Sequence, residues 1–197
     1  MKRLFDFIVS FLGIVLISPI LMVAALLLKI AAGSPVFYRQ DRVGLSGKIF
    51  KLYKFRTMVI DADQIGTSVT TGHDSRITPI GKILRRFKLD ELPQLINVLK
   101  GDMSFVGPRP DVPGFADKLQ GEDRIILTVR PGITGPATLK YRNEEALLAA
   151  QADPDKYNAE VIYPDKVRLN REYVKNQSFL GDMKYLLMTV FGRPFHE

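Results

Sequence analysis

Cysteine is absent from this 197-residue chain, which excludes disulfides, thiolate zinc sites and a cysteine nucleophile. Histidine is scarce. His73 and His196 are the two present, so a histidine-rich metal site is ruled out and a Ser-His-Asp triad would have to rest on one of them. Acidic residues fall short of Lys and Arg, 21 against 28. The resulting net charge of +7 suits nucleic acid, an anionic membrane surface or phosphorylated substrates. Internal repeats and low-complexity tracts are lacking too, and the length allows one domain plus an appendage.

Charge is also missing locally. Phe7 to Leu28 carries none, and Asp6 and Lys29 are the only charges between Leu4 and Ile30. At about 1.5 Å per residue this run could cross a hydrocarbon core of about 30 Å. It is too long for a signal-peptide core. Ser18-Pro19 falls near its middle, where a proline removes a backbone donor and predicts a kink. Both flanks are basic: Lys2 and Arg3 before, then Lys29, Arg39, Arg42, Lys48, Lys51 and Lys54 after. Cytoplasmic flanks carry such an excess. The residues alone leave two options, a spanning helix and a segment that enters one leaflet, bends and returns.

Beyond the apolar run, Val36 to Tyr38 and Ile49 to Tyr53 read as short strands around a Gly44-Leu45-Ser46-Gly47 turn. Asp61 to Ser75 reads as a polar loop, with His73 solvated in it. Thr78 is an N-cap before Pro79, and Ile80, Ile83, Leu84 and Phe87 give a helical stripe. A second helix is predicted from Asp90 as N-cap, with Leu92, Leu95, Ile96 and Leu99 as its stripe and Gly101 as its stop. Residues 103–114 and 129–137 are rich in Gly and Pro. Residues 144–170 read as polar and mostly helical, interrupted at Asp153-Pro154 and Tyr163-Pro164. A last stripe, Phe179, Leu180, Met183, Leu186, Leu187 and Val190, reads as core, although interfacial docking is allowed.

The chemistry concentrates between Arg85 and Pro110. Asp90-Glu91 follows Arg85, Arg86 and Lys88, and Arg109 sits in a stiff Gly-Pro-Arg-Pro loop. An acid pair at a helix start is ordinarily a cap. Here the cations around it, and an arginine presented with little entropy to lose, point to phosphate recognition. The loop at 129–136 is either a turn between packed elements or a phosphate-facing loop. Asp102 reads as structural.

Several segments, in order, resemble the bacterial sugar transferase family, whose small monotopic members are phosphoglycosyl transferases. They are Lys54-Phe55-Arg56-Thr57-Met58, Leu89 to Leu95, Asn97 to Ser104, Val106-Gly107-Pro108-Arg109-Pro110, and Arg130-Pro131-Gly132-Ile133-Thr134-Gly135. The resemblance covers nearly the whole chain, including Ser18-Pro19, and is to the minimal, single-domain type. It implies an α+β, mostly helical fold. Residues 1–34 would form a re-entrant membrane helix broken at Ser18-Pro19. Residues 35–197 would form a small catalytic domain with short strands and interfacial amphipathic helices, on the cytoplasmic face of the bacterial inner membrane.

The same resemblance implies transfer of a sugar-1-phosphate from a UDP-sugar to polyprenyl (undecaprenyl) phosphate, releasing UMP, as the first membrane step of glycoconjugate or exopolysaccharide assembly. Asp90 would be the nucleophile and form a phosphosugar-aspartyl intermediate, with Glu91 assisting. Mg²⁺ would bind at Asp90 and Glu91. Arg85, Arg109, Arg130, Arg142 and Lys54 would hold phosphate oxygens. The implied partners are UDP-sugar, polyprenyl phosphate and the lipids of one leaflet, not nucleic acid; a homodimer stays open. The chain departs from the family pattern at Lys88, where a small residue is common, in an expanded 144–169 segment, and at Asn170, where an acid is common. Asp165 is an alternative bearer of that acid. The rival readings are a membrane-anchored Mg-dependent phosphohydrolase and a non-catalytic protein that binds anionic lipid.

Overall fold

A computed structural model describes residues 1–65 and 74–192. The apolar run forms one long helix, α1 (Lys2–Ala32), with Pro19 inside it. The expected break at Ser18-Pro19 is not a break in helical structure. Pro19 has no N–H to give the carbonyl of Val15, and Ser18 Oγ donates to that same oxygen at 2.8 Å. The outer face of α1 is strongly exposed, with Leu16 at 80% and Ile30 at 75%.

Both ends of α1 are tied to the rest of the chain. At the start, Lys2 Nζ donates to Val106 O at 2.8 Å and pairs with the buried Asp182. Arg3 donates to Val98 O at 2.5 Å and Leu99 O at 2.7 Å, filling orphan carbonyls in the last turn of a later helix. Asp6, the acid inside the apolar run, is buried and accepts from Phe105 N. At the far end Ala24 and Leu28 pack with Phe55 and Leu84, and Arg56 donates to Ala32 O and to Gly33 O.

Strands β1 (Phe37–Val43) and β2 (Ile49–Phe55) pair antiparallel, Phe37 opposite Phe55 and Val43 opposite Ile49, across the expected glycine turn. A short helix, α2 (Ala62–Ile65), follows; the remainder of the predicted 61–75 loop, with His73, lies mainly outside the described residues, as does His196. Helix α3 (Pro79–Arg86) starts as predicted, with Gly81 N donating to Thr78 Oγ1 at 3.1 Å. Helix α4 (Gln94–Lys100) ends at Gly101 in the left-handed region, φ 93°. Its buried face combines Val98, packed with Leu52 and Met103, with the polar Gln94 and Asn97. Asn97, fully buried, accepts from Tyr53 N at 3.0 Å and donates to Lys51 O at 2.8 Å, which joins α4 to β2. The half-buried leucine stripe of α4 lies toward α1, with Leu95 close to Gly13.

Strands β3 (Ser104–Val106) and β4 (Gly132–Thr134) pair in parallel, and Gly107 and Gly132 meet backbone to backbone. Helices α5 (Pro136–Lys140), α6 (Glu144–Ala149) and α7 (Pro154–Tyr157) follow, α7 capped by Asp153. No interruption occurs at Tyr163-Pro164. A wide turn over Asn158–Ile162 leads directly into α8 (Tyr163–Lys175), with Pro164 in its first turn, where the missing N–H does least harm. In α9 (Phe179–Val190) the apolar stripe is not core: Leu180 is 81% exposed and Val190 77%. The inward side of α9 is polar instead. Asp182 accepts from Tyr173 Oη at 2.7 Å and Thr189 bonds Thr134 at 2.6 Å, so the stripe turns outward beside α1, where Phe179 meets Phe5. Ile83 of α3 and Phe87, just past its end, are exposed as well.

Candidate active site

The acid pair is not a helix cap. After α3 the chain reverses at Lys88, held in the left-handed region at φ 56°, and makes a tight 3-10 turn over Leu89–Glu91. Pro93 then occupies the N-cap position of α4, and no capping bond comes from Asp90. A proline three residues on cannot donate to Asp90, so the turn closes separately and the helix starts late.

This turn gives the two acids opposite environments. Glu91 is saturated: Lys54 Nζ lies 2.9 Å from its Oε1, Arg109 Nη2 2.5 Å from the same oxygen, and Arg109 Nη1 3.4 Å from Oε2. Burial alone would raise its pKa, but Arg109 and then Lys54 hold it well below the usual carboxylate range. The same pairing raises the pKa of Arg109, whereas burial lowers that of Lys54. Asp90 is 7% exposed, and its Oδ1 has no hydrogen-bond partner among the described residues. Burial, then the neighbouring Glu91, push its pKa up against the pull of Lys54, Arg85 and Lys88.

Both acids line a cavity of about 1670 Å³, with Lys54, Arg85, Arg109 and Arg142 on its walls. Typical ligand pockets hold roughly 300–1,000 Å³, so there is room for more than one substrate moiety. Arg85 pairs with Glu145 at 2.5 Å, and Arg142 donates to Thr189 O at 3.1 Å. Arg130 is not brought to this cavity: its Nε donates to Gly101 O at 2.8 Å, and its Pro-Gly neighbours serve the backbone contact between Gly107 and Gly132. Residues 130–132 thus form a turn between packed elements, while Ile133 and Thr134 of the same segment line the cavity. Asp102 lies beside Lys100 and accepts from Asn97, a structural place. Asp165 is bound by Tyr141, Lys140 and Arg168, which against its burial bring its pKa down to about 2. Asn170 is the one that lines the cavity.

Among the cavity residues that carry no motif signal of their own are Asp111, Tyr163 and Lys166. The available hints were the position of Asp111 directly after Gly-Pro-Arg-Pro, and the helical spacing of Tyr163, Lys166 and Asn170.

Among the described residues no three His, Asp or Glu side chains gather into a metal-binding group. Mg²⁺, however, commonly takes one or two carboxylates and completes its shell with water and substrate phosphate. The unpartnered Oδ1 of Asp90 fits that use, and Glu91 fits it less well because two cations already hold it.

Fold and site define a protein with one long apolar helix and a cationic cavity built around two unlike acids, suited to phosphate groups. The chain belongs to the bacterial sugar transferase family, whose profile matches residues 1–193. It is 35% identical over 192 residues to the UDP-N-acetylgalactosamine-undecaprenyl-phosphate N-acetylgalactosaminephosphotransferase of Aeromonas hydrophila, covering 96% of this chain and 42% of that protein. It is 38% identical over 196 residues to the UDP-glucose:undecaprenyl-phosphate glucose-1-phosphate transferase of Escherichia coli, covering 97% and 39%. With the sugar transferase EpsL of Bacillus subtilis it shares 37% over 190 residues, covering 96% and 85%. The chain therefore spans less than half of the first two relatives and most of the third.

Proposed function

We propose that the protein transfers a sugar-1-phosphate from a UDP-sugar to polyprenyl phosphate, with Asp90 as nucleophile. The observation that carries this is the contrast within the acid pair: Glu91 is engaged by two cations, while Asp90 Oδ1 is buried without a partner. A desolvated carboxylate held without hydrogen bonds is a stronger nucleophile than a solvated one. In the first step an Asp90 oxygen bonds the sugar-proximal phosphorus, and the bridging P–O bond breaks to release UMP. In the second, a phosphate oxygen of polyprenyl phosphate bonds that phosphorus and the Asp90–phosphorus bond breaks. Arg109, Lys54 and Arg85 hold phosphoryl oxygens, and Glu91 keeps Arg109 and Lys54 in place. Mg²⁺ held by Asp90 and Glu91 would neutralise diphosphate charge.

The topology follows from the same chain. Residues 1–34 serve as the anchor and 35–197 as the catalytic domain. The attachment of both ends of α1 to that domain supports a re-entrant anchor, with both ends on the cytoplasmic side and the segment turning at Ser18-Pro19 within one leaflet. The outward apolar residues of α1, α3 and α9 supply the lipid-facing surface.

The direct test is mass spectrometry of the purified protein after exposure to UDP-sugar alone. A phosphosugar adduct on the peptide containing Asp90 is expected, and it is lost in Asp90→Asn. Turnover without any adduct would remove the covalent route. Sustained UMP release without lipid acceptor would make the protein a phosphohydrolase.

A further inference from the structure

The cavity has an arm that the transfer chemistry leaves unused. It lies between β1, the segment after Pro110 and α8. Tyr163, Lys166, Val167 and Asn170 line it at helical spacing, and Asp111 lines it as well. Its polar groups are short of partners. Tyr163 Oη and Asn170 Oδ1 are buried with no hydrogen-bond partner among the described residues, and Asn170 is 7% exposed. No described side chain hydrogen-bonds the Asp111 carboxylate either. The cations here are engaged in part: Lys166 pairs with Glu144 at 2.6 Å, and Arg42 Nη1 donates to Pro110 O at 2.9 Å while its Nε is buried without a partner among the described residues. Buried polar groups left unpaired in a cavity wall are costly unless a ligand pairs them.

We infer that this arm holds the sugar ring of the donor, and that Asp111, Tyr163 and Asn170 read its hydroxyl groups and so set which UDP-sugar is used. The inference rests on the donor being a UDP-sugar, as proposed above. Placement supports it: Arg109, Pro110 and Asp111 are consecutive and all line the one cavity, so the arm adjoins the phosphate-binding centre where Arg109 holds Glu91. Chemistry supports it as well. The arm is rich in acceptors, namely two carboxylate oxygens of Asp111 and the Asn170 amide oxygen. A hexose ring presents several O–H donors, whereas uracil presents a single N–H and two carbonyls that a carboxylate would repel. The face of Tyr163 is stiffened by the Phe115 ring at 5.3 Å, so its hydroxyl is fixed in direction. Burial raises the pKa of Asp111 to about 6, against the pull of Lys166, Arg42 and Arg109, in keeping with a carboxyl group waiting for donors.

The test compares kcat/KM for UDP-glucose, UDP-galactose and their N-acetylamino counterparts, with undecaprenyl phosphate as acceptor, in the full chain and in Asp111→Asn and Tyr163→Phe. The affinity of each protein for UMP is measured alongside. Tyr163→Phe keeps the ring contact with Phe115 and removes only an unpaired hydroxyl, so it folds even if Asp111→Asn does not. The expected result is a change of about tenfold or more in the ratio between preferred and non-preferred sugars. UMP affinity should stay within about twofold. Unchanged sugar ratios in both variants would overturn the inference. So would UMP affinity falling in step with every UDP-sugar, which would give the arm to the ribose. Failure of the transferase reading shows separately, as no UMP from the unaltered protein with any UDP-sugar.

Discussion

Arg109 reaches Glu91 with both terminal guanidinium nitrogens, 2.5 Å from Nη2 to Oε1 and 3.4 Å from Nη1 to Oε2, and makes no hydrogen bond to the adjacent Asp90. One acid of the pair is thereby committed to holding cations and the other is left to react. Arg109→Ala should lower kcat/KM by about 10²–10³, the loss seen when one preorganised charge donor is removed. Its stability cost should be only about 1 kcal/mol, because the side chain is 40% exposed and Lys54 still neutralises Glu91. UMP-release kinetics and denaturation followed by far-UV circular dichroism measure the two effects. The double variant with Glu91→Gln should lose less stability than the sum of the single changes.

Asp90 should be a site where function costs stability. Its pKa is raised by burial and by Glu91, so the ionised form is disfavoured in the folded chain. For an acid with a raised folded pKa the penalty is absent below the unfolded value of 3.8, grows above it, and is complete once pH exceeds the folded value. Asp90→Asn removes the charge and keeps the shape. Without divalent cation, the variant should melt at the same or a higher temperature than the unaltered protein at pH 7 to 8, by a gain of order 1 kcal/mol. The gap should close toward pH 4. A variant markedly less stable at neutral pH would show that the carboxylate is structural.

What the sequence disclosed was local grammar. Thr78-Pro79 and Gly101 bound their helices as expected, and the Gly44–Gly47 turn closes the predicted hairpin, since each depends on backbone conformations set within a few residues. Long-range placement was not legible. Arg109 and Arg130 look alike in sequence, each followed by proline, yet one faces the acids and the other caps Gly101 O. The α9 stripe has a clear period, but period alone does not say which side the domain takes. The domain takes Asp182 and Thr189 because buried Tyr173 and Thr134 await them. Asn97 stood out only as the start of a family-like segment, and its bridging role was hidden because its partners Lys51 and Tyr53 are more than forty residues away.

The stiffness that positions Arg109 should depend on two glycines. A Cβ on Gly132 would lie 2.1 Å from Gly107 N and 2.7 Å from Gly107 Cα, contacts that only backbone movement can relieve. Gly132→Ala should therefore destabilise by about 3 kcal/mol and displace the loop that carries Arg109, reducing turnover as well. Gly114→Ala is the control. Its φ of 103° is unfavourable for alanine, but nothing lies within 4 Å, so about 1 kcal/mol is expected there. Thermal melts of the two variants decide it. Equal losses would mean that the Gly107–Gly132 contact relaxes easily.

The attachment of both ends of α1 to one domain makes a topological prediction that the absence of cysteine renders simple to test. Lys2 pairs with Asp182 and Arg56 holds Ala32 O, so residues 4 and 34 should lie on the same, cytoplasmic side. Leu4→Cys and Ser34→Cys each introduce a single thiol, Leu4 being 65% exposed. In intact spheroplasts an impermeant maleimide should label neither, and permeabilisation should expose both. Ser18→Cys, at the proline in mid-helix, should resist labelling under either condition, because it would sit within the hydrocarbon. A spanning helix of 31 residues, about 46 Å at about 1.5 Å per residue, would instead leave position 4 reactive from outside and position 34 protected. That pattern would require the Lys2, Arg3 and Asp6 contacts to be absent in the membrane, and the buried Asp182 to lose its cation and keep only the Tyr173 hydroxyl.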